Sequence, residues 1–134
     1  MLAERLPHVV TWDDQDAVDQ QIDAGEMMRR LAGILGGEYR EKQFRGEPRY
    51  EVRCYLPGGF ELSLMAGHIY DDRETLSLAI ELRAAALSRP LASYHLSGGI
   101  DRIKASADTA WLRATNGTVV ILGHGLGGIL EVQN

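Results

Sequence analysis

Residues 119–128, VVILGHGLGG, hold the sharpest chemical pattern in the chain. Gly123, Gly125 and Gly128 stand in G-x-G-x-x-G spacing directly after an apolar run, with His124 inside the glycines. Glycines at this spacing let a backbone approach a ligand closely. Where a helix follows, the free amides of its first turn can donate to a phosphate. The cofactor-binding candidates are therefore Gly123, His124, Gly125 and Gly128. Six residues follow Gly128 in this sequence, too few for a phosphate-facing helix and a return strand. The acidic residue expected about 20 positions further on has no place, and Glu131 stands too close to serve. The competing reading is a terminal hairpin or bent strand whose glycines allow close backbone packing.

A second group is basic and aromatic. Arg40, Lys42, Arg45, Arg49 and Arg53 interleave with Tyr39, Phe44, Tyr50 and Tyr55. On a sheet, such residues could face single-stranded nucleic acid or an acidic protein. Arg40, Lys42, Arg49, Arg53 and Tyr55 are the partner-binding candidates. Cross-strand pairing with Glu41, Glu47 and Glu51 is an equally natural use of the same cations.

Other reactive residue types form no complete constellation. His8, His68, His95 and His124 show no metal-ligand spacing, and His68 near Asp71 and Asp72 reads as a solvated turn. Asp13, Asp14, Asp16, Asp19 and Asp23 lack the spacing of an EF-hand loop and read as one face of a helix. No nucleophile elbow, zincin helix, C-x-x-C or Walker loop is present. No catalytic residue and no metal ligand is assigned.

These candidates need elements to position them, and residues 49–66 organise the rest. Tyr50, Val52, Cys54 and Leu56 alternate with polar neighbours, as do Phe60, Leu62, Leu64 and Ala66. Period-two alternation marks half-buried strands. A three-residue loop, Pro57-Gly58-Gly59, sets Leu56 against Phe60, Cys54 against Leu62, Val52 against Leu64 and Tyr50 against Ala66. Any odd shift would mix the faces. Cys54 is then a core thiol. Residues 75–83 read best as a third strand, with Leu64 facing Ile80 and Leu62 facing Leu82. A capping-box reading of residues 71–74 makes a helix the rival. Residues 39–44 read as a polar edge strand guarded by Arg40 and Lys42.

The acidic start at Asp13 and the spacing of Val18, Ile22, Met28, Leu31, Ala32 and Leu35 suggest an N-terminal helix, which Gly25 divides and Gly36-Gly37 stops. Met27 and Met28 read as gap-filling core. Ile100, Ile103, Ala107, Ala110, Trp111 and Ala114 fall on one helical stripe, which suggests a second helix over 100–114. Residues 118–122 read as a strand buried on both faces.

Two resemblances rest on these residues. The 119–128 segment resembles the first motif of Rossmann-type methyltransferases and of dinucleotide-binding enzymes. That implies S-adenosylmethionine or a dinucleotide as ligand, and a remnant of a larger enzyme as one origin. Residues 26–66 have a helix ending in Leu-Gly-Gly, a polar strand and a Gly-Gly hairpin. This segment is similar to short proteins of phages that infect high-GC bacteria, which implies a phage origin and a host-cytoplasmic location. No activity comes with the likeness.

The chain has 134 residues and a formal net charge of −5, consistent with one domain and mildly unfavourable to a large nucleic-acid interface. It holds one cysteine, too few for an internal disulfide. No apolar run reaches the ~18 residues of a membrane span, and no secretory leader is evident. The resulting expectation is an α+β fold: an antiparallel meander of about four strands, an N-terminal helix across it and a second helix near 100–114. The function expected is a non-catalytic binding or assembly protein with no cofactor, engaging a protein partner or a second copy. The alternatives are a small S-adenosylmethionine- or dinucleotide-binding domain and a module for single-stranded nucleic acid.

Overall fold

The computed structural model describes residues 9–14, 19–44, 46–67, 77–84, 87, 89–96, 100–114, 117–123 and 128–133. Among these it contains eleven strands and one helix. The chain begins with a hairpin, β1 (Val9–Asp14) and β2 (Gln20–Asp23), and continues into α1 (Ala24–Leu35). An antiparallel meander follows: β3 (Glu38–Phe44), β4 (Glu47–Leu56), β5 (Phe60–Gly67), β6 (Ser77–Ala84) and β7 (Ala92–Leu96). A second meander closes the chain: β8 (Ile100–Ala105), β9 (Thr109–Ala114), β10 (Val119–Gly123) and β11 (Gly128–Gln133).

The first meander forms a five-stranded sheet in order β3-β4-β5-β6-β7. The second joins the N-terminal hairpin in a six-stranded sheet, β11-β10-β9-β8-β1-β2. There β1 runs parallel to β8, with Trp12 opposite Ile103. The fold is therefore mostly β. The expected α+β arrangement, with one sheet of about four strands and two helices, is overturned by the second sheet and by the strands over 100–114.

The central hairpin has the expected register: Tyr50 opposite Ala66, Val52 opposite Leu64, Cys54 opposite Leu62 and Leu56 opposite Phe60. Both turn glycines are left-handed, Gly58 at φ 84° and Gly59 at φ 80°. Residues 77–84 settle the strand-or-helix ambiguity as strand, with Leu64 opposite Ile80 and Leu62 opposite Leu82.

The N-terminal helix starts later than its acidic residues suggest. Asp13 lies in β1, where it accepts a hydrogen bond from Arg102 at 3.3 Å, and Ile22 points inward from β2. Asp23 is the cap, accepting from the Glu26 amide at 2.8 Å, which satisfies one of the orphan donors of the first turn. Gly36 ends the helix in the left-handed conformation at φ 67°, and the Gly37 amide donates to the Ala32 carbonyl at 2.9 Å.

Met27, Met28, Leu31, Ala32 and Leu35 of α1 share one buried cluster with inward residues of both sheets. The helix packs on β1, β2, β9 and β10 of one sheet and on β3, β4 and β5 of the other. Two adjacent arginines straddle that junction. Arg29 lies 5.5 Å from the Tyr39 ring centroid on β3, and Arg30 lies 5.3 Å from Trp12 on β1. Cation–π contacts of this kind contribute about 0.5–1 kcal/mol where exposed. At 12 residues α1 is too short to cross a membrane, and no described helix is long and apolar enough to do so.

Candidate functional site

The glycine pattern lies in a hairpin. Gly123 ends β10 and Gly128 begins β11, and the two glycines face each other across that antiparallel pair. The strand β10 is therefore followed by a returning strand instead of a helix. No helical amides are presented by the described residues on either side, and those amides were the physical basis for holding a phosphate there. His124 and Gly125 lie outside the described residues. The C-terminal segment pairs with β10 within its own sheet.

The basic candidates share the outer face of the five-stranded sheet. Alternation places Arg49, Arg53 and Tyr55 of β4 opposite in face to buried Val52 and Cys54, and the β3–β4 register puts Arg40 and Lys42 beside them. Three of the cations have carboxylates close by. Arg40 lies 3.8 Å from Glu38, Lys42 3.2 Å from Glu51 and Arg53 3.1 Å from Glu61. Such exposed pairs contribute roughly 0–1 kcal/mol each, but they do neutralise the face. The Arg49 side chain packs toward Gly67, where a β-carbon would meet its Cγ at 3.2 Å.

The aromatic residues do not line that face together. Tyr39 and Tyr50 turn to the other side and stack on each other, centroids 6.4 Å apart and planes 18° from parallel. Burial pushes both phenols above their ordinary range, and the Tyr39 hydroxyl is buried without a hydrogen-bond partner among the described residues. Of Tyr39, Tyr50 and Tyr55, only Tyr55 remains outward, with 70% of its surface exposed. A row of stacking platforms for successive bases needs several such rings.

A different grouping emerges at one end of this sheet. The exposed large hydrophobic residues among those described are Tyr55, Phe60, Leu87 and Leu91. Their backbones converge. Tyr55 and Phe60 flank the β4–β5 turn, and Phe60 is the register partner of Ala84 at the end of β6. The Leu87 amide donates to the Ala84 carbonyl at 3.0 Å, and the Leu91 amide donates to Leu82 at 2.7 Å. Charged pairs stand beside the apolar group: Arg53 with Glu61 at 3.1 Å and Arg83 with Glu81 at 2.8 Å, together with exposed Arg89.

Sequence reasoning found Arg53 and Tyr55 of this end and missed the other three apolar residues. Phe60 was assigned to the covered face by alternation. Its position at the extremity of β5 leaves it 39% exposed, because the strand's first residue lies beyond the core. Leu87 and Leu91 flank Pro90 and belong to no periodic run, and that lack of pattern was the available signal.

A shallow groove of about 230 Å³ lies on the six-stranded sheet, lined by Asp13, Lys104, Ala105, Ser106, Thr109 and Trp111. Its polar groups are largely engaged. Lys104 Nζ sits 5.1 Å from the Trp111 ring centroid, Asp13 accepts from Arg102 and Ser106 Oγ donates to the Thr109 carbonyl at 3.3 Å. Cys54 is buried, and its thiol is pushed up to about 11 by burial, which suits packing better than nucleophilic chemistry. Among the described residues no cluster of three His, Cys, Asp or Glu side chains could hold a metal ion. No protein-family model, curated protein or solved structure matches this chain.

Proposed function

We propose that the chain is a non-catalytic binding and assembly protein that engages a protein partner through the end of its five-stranded sheet. The observation that carries this reading is that Tyr55, Phe60, Leu87 and Leu91, all exposed and apolar, stand on backbone that converges at one end of the five-stranded sheet, Tyr55 on its outer face and Phe60 on its inner face. Single exposed hydrophobic residues are ordinary, whereas several near one end of a sheet, interspersed with charged pairs, suit an interaction surface. Aromatic anchors flanked by arginine are the residue types that dominate protein interfaces. Arg53, Arg83 and Arg89 against Glu61 and Glu81 leave this end less negative than a chain of net charge −5 is as a whole, which eases the approach of an acidic partner.

The test uses the tagged chain and an extract of its source cells. The wild type, a Tyr55→Ser/Phe60→Ser/Leu91→Ser variant and a Gln20→Ser/Lys104→Ser control are compared for proteins retained. The reading expects a retained protein that the control keeps and the triple variant loses. Equal retention by all three chains removes this surface from the account.

A further inference from the structure

Each sheet has two edges, and native proteins guard edges with charge, short length or bulges. Three of the four edges here carry such devices. β3 presents Glu38, Arg40, Glu41 and Lys42. β2 has four residues and runs directly into α1. β11 carries Glu131, and its pairing with β10 contains a register shift. The fourth edge is β7, with the sequence ASYHL. It contains no Asp, Glu, Lys, Arg or Pro, and among the described residues it pairs only with β6. The exposed Leu91 leads directly into it.

We infer that β7 is a homodimer edge, pairing antiparallel with β7 of a second copy to join two five-stranded sheets into one. The inference rests on the reading of the chain as an assembly protein and names one partner for it. An antiparallel strand pair is self-complementary about a two-fold axis, the symmetry of most homodimers. Faces match only if inward residues meet inward residues. On β7 the inward set is Ala92, Tyr94 and Leu96, opposite Leu82, Ile80 and Leu78 of β6. The register centred on Tyr94 uses all five residues and preserves that set. It places Tyr94 against Tyr94 of the partner subunit, and Ala92 against Leu96 of the partner subunit. The apolar row Val52–Leu64–Ile80–Tyr94 then continues across the axis. Two copies of a chain with net charge −5 repel each other, and an uncharged strand is where their contact costs least. The two-fold also turns the two Tyr55–Leu91 ends to opposite ends of the joined sheet, so the dimer would present two binding ends.

The experiment combines sedimentation velocity over a range of concentrations with disulfide trapping. Directly opposed residues have Cβ atoms about 4.5–5.5 Å apart, near disulfide reach. In a Cys54→Ala background, Tyr94→Cys should give mostly covalent dimer on mild oxidation, at least tenfold more than Ser93→Cys alone. Because Tyr94 packs on the core, a second trap avoids it. Residues 93 and 95 are opposed across the proposed axis, so Ser93→Cys and His95→Cys chains should cross-link when mixed and far less when separate. A wild type that stays monomeric at every concentration overturns the inference. So does a dimer that neither trap captures. A monomer that still retains a protein through Tyr55, Phe60 and Leu91 overturns only this inference. A trapped dimer without such retention overturns the proposed surface instead.

Discussion

A β-carbon on Gly37 would lie 2.5 Å from Cys54 Sγ and 3.0 Å from the Arg53 carbonyl oxygen. The residue that follows the helix stop is thus pressed against β4 of the five-stranded sheet. Its requirement is for space, since only Gly36 of the pair has a positive φ. Gly37→Ala should destabilise the protein by about 1–3 kcal/mol, the usual cost of overpacking, read as a lower urea midpoint. Cys54→Ala removes the sulfur but not the carbonyl. The double variant should therefore lose less stability than the two single losses together, with a coupling of about 0.5–3 kcal/mol.

Gly33 predicts the opposite sign. It sits exposed inside α1, and a β-carbon there meets nothing within 4 Å. Gly33→Ala should stabilise the protein by roughly 0.5–1 kcal/mol, because alanine costs less backbone entropy in a helix. The urea midpoint should rise with an unchanged slope.

Stability should fall at alkaline pH. Burial raises the Cys54 thiol to about 11 from an ordinary 9.0. Between those values the unfolded chain releases its proton and the folded chain keeps it, so stability is full below pH 9 and declines as pH rises toward 11. The raised phenols of Tyr39 and Tyr50 act in the same direction above their ordinary 10.0. A thermal-melt series from pH 7 to 11 checks this, and Cys54→Ala should make the decline over that window shallower.

Surface and core hydrophobic residues should separate cleanly. Phe60→Ser and Leu91→Ser remove exposed side chains and should shift stability by no more than about 0.5 kcal/mol. Leu64→Ala, at a fully buried position, should cost about 2–5 kcal/mol. The comparison of denaturant midpoints shows whether Phe60 and Leu91 serve the fold or something outside it.

The central hairpin was legible because face matching and turn chemistry agree: only an even register keeps Val52, Cys54, Leu62 and Leu64 together. The pairing of Leu64 with Ile80 followed by the same rule. The segment 100–114 misled for an equally physical reason. A bulge between Ile100 and Arg102 inserts an extra residue, so the inward residues Ile100 and Ile103 fall three apart, as on a helix. In β9 the inward set is Ala110, Leu112 and Ala114, and a helical stripe omits Leu112. At the N-terminus, five aspartates hid the true cap. Asp23-Ala24-Gly25-Glu26 carries the Asp-x-x-Glu spacing of a helix start, whereas Asp13 belongs to a strand. The parallel pairing of β1 with β8 joins residues about 90 positions apart, and no local pattern encodes it. Of the candidate surface, Tyr55 and Arg53 were visible in their spacing. Phe60, Leu87 and Leu91 gather only when the ends of β4, β5 and β6 are brought together.

The most direct test of the proposed function is photo-crosslinking inside the source cells, with a benzophenone side chain at position 55 and, separately, at exposed position 107 in the β8–β9 turn. The account predicts an adduct to another polypeptide from position 55 and little or none from position 107. Absence of an adduct at 55, or equal adducts from both positions, would contradict it.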